Sequence, residues 1–319
     1  MNDRFDSKQS LAIVDLQDLH DEHAVNEVAR QIQRALQAHG FMYVCNHGID
    51  GALIENLRHM QRLFFSLPLE QKRQININSF NRGYLGQGEA RMHGAQKHDQ
   101  KEVFFWGAEL ADDHPHRLAG LALCGPNQWP EQPANFKQTV LDYATAIAQL
   151  GERLLQAIAL ALNLPQTFFA PYYNTPMTRG QLIHYPPTQG EHDDFGVAPH
   201  TDFGCITLLL QETAGLEVQM HDGSWIAVPP IDNTLVINIG DLIERWTDGR
   251  LPSTRHRVRN LTGEARYSIA MFHDPAADAR IDPNDMRSNS NNFEPVAAAD
   301  YIQGRNKGAF AHFGQVKKQ

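Results

Sequence analysis

A histidine and an aspartate stand two residues apart in Pro199-His200-Thr201-Asp202-Phe203. In an extended segment side chains alternate, so the imidazole of His200 and the carboxylate of Asp202 project from one face. Together they supply two ligands to one metal ion. A third stands 54 residues on, at His256 in Ser253-Thr254-Arg255-His256-Arg257-Val258, a gap long enough for several short strands to turn back. Two histidines and one carboxylate on one side of an ion, with the other positions open, suit non-haem Fe(II) and oxygen chemistry. The same donors with a water suit zinc, so a zinc hydrolase stays open at this point. So does an accidental surface pair in a chain with 16 His.

Two further groups fall into register with these ligands. In Arg266-Tyr267-Ser268, a strand would put Arg266 and Ser268 on one face and turn Tyr267 away. A guanidinium and a hydroxyl at that spacing form a clamp for a distal carboxylate, because Arg offers two parallel hydrogen bonds. In Gln181-Leu182-Ile183-His184-Tyr185 the alternation puts Gln181, Ile183 and Tyr185 on one face, and an inward Tyr185 hydroxyl would complete the clamp. Taken singly, a surface Arg beside a strand Ser and a half-buried Tyr look the same. Other chemistries lack their signatures: no nucleophile elbow, paired-carboxylate motif or phosphate-cradling loop stands out. Gly83 and Gly86-Gln87-Gly88 do not open a helix after a strand, as a dinucleotide site requires.

The elements that must position these residues follow from the apolar spacing. Leu11–Leu16 reads as a short strand. From Ala24 to His39 the residues Val25, Val28, Ala29, Ile32, Ala35 and Leu36 make one buried helical stripe, ended by Gly40. Phe41–Cys45 is a buried strand, followed by a helix over 52–65 and a short helical piece opened by Pro68. Residues 75–100, rich in Asn, Gly, Gln and His, read as loop. There His93 and His98 are expected in solvent. So are Arg82 and Arg91, although they also hint at an anionic substrate. Lys101–Trp106 resumes as a strand, 107–133 as an extended crossing, and Phe136–Leu162 as a long helix. After Pro165 short β-like runs follow, at 181–185, 205–210, 216–220, 225–228, 234–239, 254–258 and 267–272, with turn pairs such as Asp222-Gly223, Gly240-Asp241 and Asp248-Gly249 between them. A last helix is expected over 296–303. The pattern predicts an α+β, mainly β fold: helices first, then one barrel-like sheet, a double-stranded β-helix or jelly roll. Residues 1–170 would pack on a core formed by 171–319, as one composite domain.

Composition sets outer bounds. With 319 residues, 42% apolar, the chain can bury a large core, and its net charge of −9 argues against nucleic acid and anionic membrane surfaces. Three Cys, at 45, 124 and 205, are too few for a disulfide scaffold or a thiolate cluster. The polar N-terminus and the absence of an apolar run near 20 residues leave a reducing cytoplasm as the expectation.

Taken together, the chain resembles the isopenicillin N synthase-like branch of the Fe(II)/2-oxoglutarate-dependent oxygenases. The resemblance spans nearly the whole length. It is carried by His39-Gly40-Phe41 to Asn46-His47-Gly48-Ile49, Arg82-Gly83-Tyr84, His184-Tyr185-Pro186-Pro187, His200-Thr201-Asp202, Asn238-Ile239-Gly240-Asp241, His256-Arg257-Val258 and Arg266-Tyr267-Ser268. It implies a jelly-roll core, iron at His200, Asp202 and His256, and 2-oxoglutarate held by Arg266, Ser268 and Tyr185. It also implies O2 as co-substrate and oxidation of a small molecule by hydroxylation, desaturation or cyclisation, with succinate and CO2 released. One departure is Ile183, where many plant members carry Asn. A synthase-type oxidase working without 2-oxoglutarate is the alternative, and the intact Arg266-x-Ser268 pair favours the co-substrate users. A non-catalytic binding protein on the same fold is the remaining rival. Gln181, Phe203 and Phe272 are the candidate substrate-pocket residues, and a monomer is expected.

Overall fold

The computed structural model describes residues 10–21, 24–91, 97–187, 195–260, 263–286 and 292–309. The chain begins with β1 (Ile13–Asp15) and α1 (Val25–His39). The apolar stripe of α1 is buried as its spacing requires, and Gly40 closes the helix in the left-handed region at φ 65°. A side chain is also excluded there sterically, since a Cβ would stand 2.3 Å from the Pro252 carbonyl oxygen. β2 (Phe41–Cys45) follows, then α2 (Gly51–Ser66), capped by the Asp50 carboxylate on the Ala52 N–H at 3.0 Å, and α3 (Leu69–Arg73). Next come β3 (Gly83–Leu85), β4 (Glu102–Gly107), the single turn α4 (Pro115–Leu118) and the long α5 (Phe136–Ala161). β3 falls inside the stretch expected to be loop. It is three residues long, too short for alternation to reveal it.

The second half runs β5 (Arg179–Tyr185), β6 (Val197–His200), β7 (Ile206–Gln211), β8 (Leu216–Gln219), β9 (Trp225–Ala227), β10 (Thr234–Ile239), α6 (Asp241–Trp246), β11 (His256–Val258) and β12 (Arg266–His273). It closes with β13 (Arg280–Ile281), β14 (Val296–Ala297) and α7 (Ala298–Ala309). The expected final helix therefore starts two residues later and extends further, and the Gly240-Asp241 turn opens a helix rather than a hairpin.

The strands do not close into one barrel-like sheet, as the run of short strands suggested. They form an eight-stranded sheet in the order β1-β2-β10-β7-β12-β5-β4-β3 and a four-stranded sheet in the order β6-β11-β8-β9. Sequence spacing predicts strands but not which edges stay unpaired, and here the two sheets face each other as the halves of a jelly roll. Strands β1 to β4, all from the first 107 residues, make up half of the larger sheet.

Helices α1, α2 and α5 pack together, and α5 lies against β7 and β12. Phe64 of α2, Phe104 of β4 and Phe136 of α5 meet with ring centroids 5.0–5.2 Å apart. Such aromatic pairs add about 0.5–1.5 kcal/mol each beyond their buried area. Gln61, fully buried on α2, donates to the carbonyls of Ile183 (3.0 Å) and Ser268 (2.9 Å), fixing the helix to paired positions of β5 and β12. That helix layer holds the larger sheet rigid from behind, while its other face looks toward the smaller sheet. No helix among the described residues is long and apolar enough to cross a membrane.

Candidate active site

His200 ends β6 and His256 begins β11, and the two are register partners in the smaller sheet. Their rings lie 4.3 Å apart between centroids. Each Nδ1 faces a carbonyl oxygen two residues back, His200 to Ala198 at 2.8 Å and His256 to Thr254 at 3.1 Å. A carbonyl only accepts, so Nδ1 carries the proton in both rings and Nε2 keeps its lone pair free. Those two Nε2 atoms lie 3.8 and 3.6 Å from Asp202 Oδ1, and the three ligand atoms sit within 4.8 Å of one another.

Asp202 reaches this position differently from the sequence reading. Strand β6 stops at His200, so simple alternation does not carry the carboxylate to the same face. A turn does: the Asp202 carbonyl accepts from Asp241 N–H at 2.8 Å, and the next turn is pressed so close that a Cβ on Gly240 would lie 2.3 Å from Gly204 O. The second oxygen, Oδ2, accepts from Thr207 Oγ1 at 2.5 Å and from Asn238 Nδ2 at 2.8 Å. Thr207 and Asn238 are directly opposed on β7 and β10, which places both donors on one carboxylate oxygen. Burial works to raise the Asp202 carboxyl, but His256, His200 and these two donors outweigh it and hold it below its ordinary value. Burial first, then His256, pushes His200 down to about 3. Asp202 is therefore held as a carboxylate and His200 as a neutral imidazole, the forms in which these groups bind a metal.

The larger sheet supplies the opposite wall. Arg266 and Ser268 share the inner face of β12, while Tyr267 turns outward and stacks on His184 at 4.7 Å. Arg266 is only 1% exposed, yet no carboxylate pairs with it among the described residues. Its guanidinium meets neutral acceptors alone: Ala214 O at 3.2 Å, Ser268 Oγ at 3.3 Å and Gln211 Oε1 at 3.4 Å. Tyr185, its register partner on β5, lies under it with the ring centroid 4.8 Å from Cζ. Tyr185 meets the cation with its ring face, and its hydroxyl also lies within hydrogen-bonding reach of the guanidinium. A buried cation lacking an anion is costly, so this site is shaped for an anionic ligand. Burial also lowers the Arg266 pKa, though a guanidinium stays charged.

A cavity of about 100 Å³ lies between the two walls, and all nine residues expected to form the site line it: His200, Asp202, His256, Arg266, Ser268, Tyr185, Gln181, Phe203 and Phe272. The residues present fit a divalent iron at the triad and a dicarboxylate reaching from the metal toward Arg266. Ile183, in place of the amide many plant members carry, also lines the cavity.

Sequence reasoning missed several contributors. Asn238 and Thr207 orient Asp202. The available signal was Asn238 itself, the one amide in the otherwise apolar run Leu235–Ile239. Lys101 and Arg179 also line the cavity, paired with Asp99 at 3.4 Å and Asp274 at 2.6 Å. The second pairing was not visible locally, because Arg179 and Asp274 stand 95 residues apart. Arg82, expected in solvent, is 2% exposed and donates to the carbonyls of Phe80, Asn81 and Leu123, so it is a structural pin of the turn before β3. Arg91 and His98 are exposed as expected, and His93 lies outside the described residues.

Comparison with known proteins agrees with this geometry. Residues 11–132 match the family described as non-haem dioxygenase in morphine synthesis N-terminal, and residues 174–275 match the 2OG-Fe(II) oxygenase superfamily. The 2-oxoglutarate-Fe(II) type oxidoreductase hxnY of Emericella nidulans is 33% identical over 306 residues, covering 92% of this chain and 88% of the relative. Among solved structures, a 2OG-Fe(II) oxygenase family protein from Caulobacter crescentus is 31% identical with a TM-score of 0.83, covering 94% of this chain and 99% of that one. A full-length Neurospora crassa protein solved in complex with alpha-KG and thymine is 26% identical with a TM-score of 0.83, covering 95% of this chain and 98% of that one. These matches favour the co-substrate users over the synthase-type oxidase.

Proposed function

The chain belongs to the 2OG-Fe(II) oxygenase superfamily and oxidises a small molecule with Fe(II), 2-oxoglutarate and O2, and we propose how its residues divide that work. His200, Asp202 and His256 hold the iron. Arg266, Ser268 and Tyr185 hold the distal carboxylate of 2-oxoglutarate, with the Tyr185 ring also lying against the guanidinium. Gln181, Phe203 and Phe272 contact the substrate. The observation that carries this assignment is Arg266: a guanidinium buried to 1% exposure, without a carboxylate partner among the described residues, lining the same cavity as the triad.

When bound, iron and 2-oxoglutarate supply the oxidation, with succinate and CO2 as the co-substrate's products. The protein's own contributions are positional. Nδ1–H bonds to Ala198 and Thr254 aim both histidine lone pairs at the ion, and Thr207 and Asn238 occupy one oxygen of Asp202 so that the other stays available. His200 and His256 come from the smaller sheet and Asp202 from the turn after β6, and a three-residue ligand set of this kind would leave positions on the ion for co-substrate and oxygen. Apolar side chains, among them Leu209, Leu216, Val258 and Ala270, line the cavity and keep it dry.

The same reading places the chain in the isopenicillin N synthase-like branch, supported by the N-terminal family match alongside the core. It treats 1–170 and 171–319 as one composite domain, supported by their shared sheet. A monomer is supported by a cavity completed within one chain, and a cytoplasmic location by three free cysteines. The test is an anaerobic titration of apo-protein with Fe(II) and then 2-oxoglutarate. A visible charge-transfer band should appear at one equivalent of each, and air with a substrate should then release succinate. Iron binding without a band would overturn the co-substrate assignment.

A further inference from the structure

Two buried polar atoms on residues that line the cavity have no partner among the described residues. Asn81 Oδ1 and Asn306 Nδ2 are both buried without a hydrogen bond, on residues 3% and 2% exposed, and both residues line the cavity. Among the described residues no other unpartnered buried side-chain atom belongs to a cavity-lining residue. Buried polar groups in native proteins are nearly always satisfied, so a lone acceptor and a lone donor in one cavity call for a ligand that brings both complements. Neither amide is loosely held. Asn81 sits in a left-handed turn at φ 62°, where its N–H donates to Asn78 O and its carbonyl accepts from the buried Arg82. Asn306 is carried on α7.

The charges in the cavity narrow the ligand further. Lys101 and Arg179 are already paired with Asp99 and Asp274. Arg266 is the remaining Lys or Arg of the lining, and its charge together with that of Fe(II) balances Asp202 and the dianionic co-substrate. Among the described residues of the lining, no unpaired cation is left over for a substrate carboxylate. Two aromatic faces stand ready for an apolar body, Phe203 beneath Arg305 at 4.6 Å and Phe272 beneath Arg179 at 5.0 Å.

We propose that Asn81 and Asn306 select an uncharged small substrate bearing a hydrogen-bond donor and acceptor, of the carboxamide or lactam type, and discriminate against the matching carboxylic acid. Asn81 Oδ1 accepts from the substrate N–H, and Asn306 Nδ2 donates to its carbonyl. A carboxylate in the same place would have no N–H to offer Asn81 and would put its charge against that oxygen with no cation to compensate. The assignment rests on the cavity being the Fe(II)/2-oxoglutarate site.

The test uses the full chain loaded anaerobically with Fe(II) and 2-oxoglutarate. It is titrated with matched pairs: acetamide and acetate, benzamide and benzoate, cyclohexanecarboxamide and cyclohexanecarboxylate. Binding is read as a shift of the visible band, and independently by ligand-observed NMR on the Zn(II)-loaded protein. At least one amide should bind roughly tenfold or more tightly than its acid. Asn306→Ala and Asn81→Gly, the latter chosen because glycine accepts the positive φ, should each weaken that amide about fivefold or more. The 2-oxoglutarate band should stay as in the parent. If Asn81→Gly does not fold, Asn306→Asp, which keeps the shape without the donor, carries the test. An acid that binds as well as its amide, an amide indifferent to the variants, or a panel in which no amide binds would overturn the substrate class. A parent protein that gives no band with 2-oxoglutarate would overturn the underlying site assignment instead.

Discussion

Replacing Arg266 by Met separates a binding residue from a structural one. In the protein without co-substrate the guanidinium is 1% exposed, and its hydrogen bonds of 3.2, 3.3 and 3.4 Å are at or beyond the long end for N–H···O. Burying an unpaired ion costs several kcal/mol, and well-packed apolar replacements of buried ionic groups are often neutral or stabilising by about 1–4 kcal/mol. Arg266→Met should therefore leave the apo-protein as stable as the parent or more so. With 2-oxoglutarate the sign reverses. Losing one partner of a buried, bidentate charge pair costs about 2–5 kcal/mol, or roughly 30- to 5000-fold in Kd. The assay pairs an anaerobic 2-oxoglutarate titration, followed by the visible band, with thermal unfolding at zero and at saturating co-substrate. At about 100 times Kd the parent should gain about 2.7 kcal/mol, and the variant almost nothing at the same concentration. An unchanged Kd would refute the clamp. An apo variant several kcal/mol less stable would show that Arg266 is held for the fold.

Asn238→Ala removes the 2.8 Å donor to Asp202 Oδ2 and should weaken Fe(II) binding about 10- to 100-fold, measured by competition with a chromophoric chelator; unchanged affinity would mean Thr207 alone fixes the carboxylate. Gly240→Ala forces a Cβ to within 2.3 Å of Gly204 O and 3.1 Å of Asp202 O, so it should cost about 1–3 kcal/mol and lower iron affinity as well, whereas a parent-like melting temperature would refute the close approach. His273 is fully buried with neither ring nitrogen hydrogen-bonded, and burial pushes its pKa down to about 4. The unfolded chain takes up this proton first, near pH 6.5. Stability is therefore full above that pH and falls by about 3 kcal/mol as pH drops toward about 4. Urea unfolding between about pH 7 and pH 4.5 should show that loss in the parent and a correspondingly flatter profile in His273→Phe; equal slopes would mean the ring is protonated in place.

The sequence by itself narrowed the chemistry of the site. The residue types at His200, Asp202, His256, Arg266 and Ser268 suit a metal ligand set and a carboxylate clamp once the fold brings them together. Periodicity also fixed the long elements, because α1, α2 and α5 each repeat an apolar stripe over four or more turns and leave little room for another reading. Short elements escaped. β3 has three residues, and β6 ends at His200, so the Asp202 carboxylate owes its aim to the turn against Asp241 rather than to strand alternation. Only the tertiary structure decided which charges are spare. Arg82 and Arg179 look alike as letters, yet one pins a turn through carbonyls and the other is neutralised by Asp274 from a distant strand. Among the described residues, Arg266 alone of the cavity's Lys and Arg side chains is left without an anion. Whether a buried charge is free depends on partners tens of residues away, and local sequence carries no record of them until the two sheets face each other.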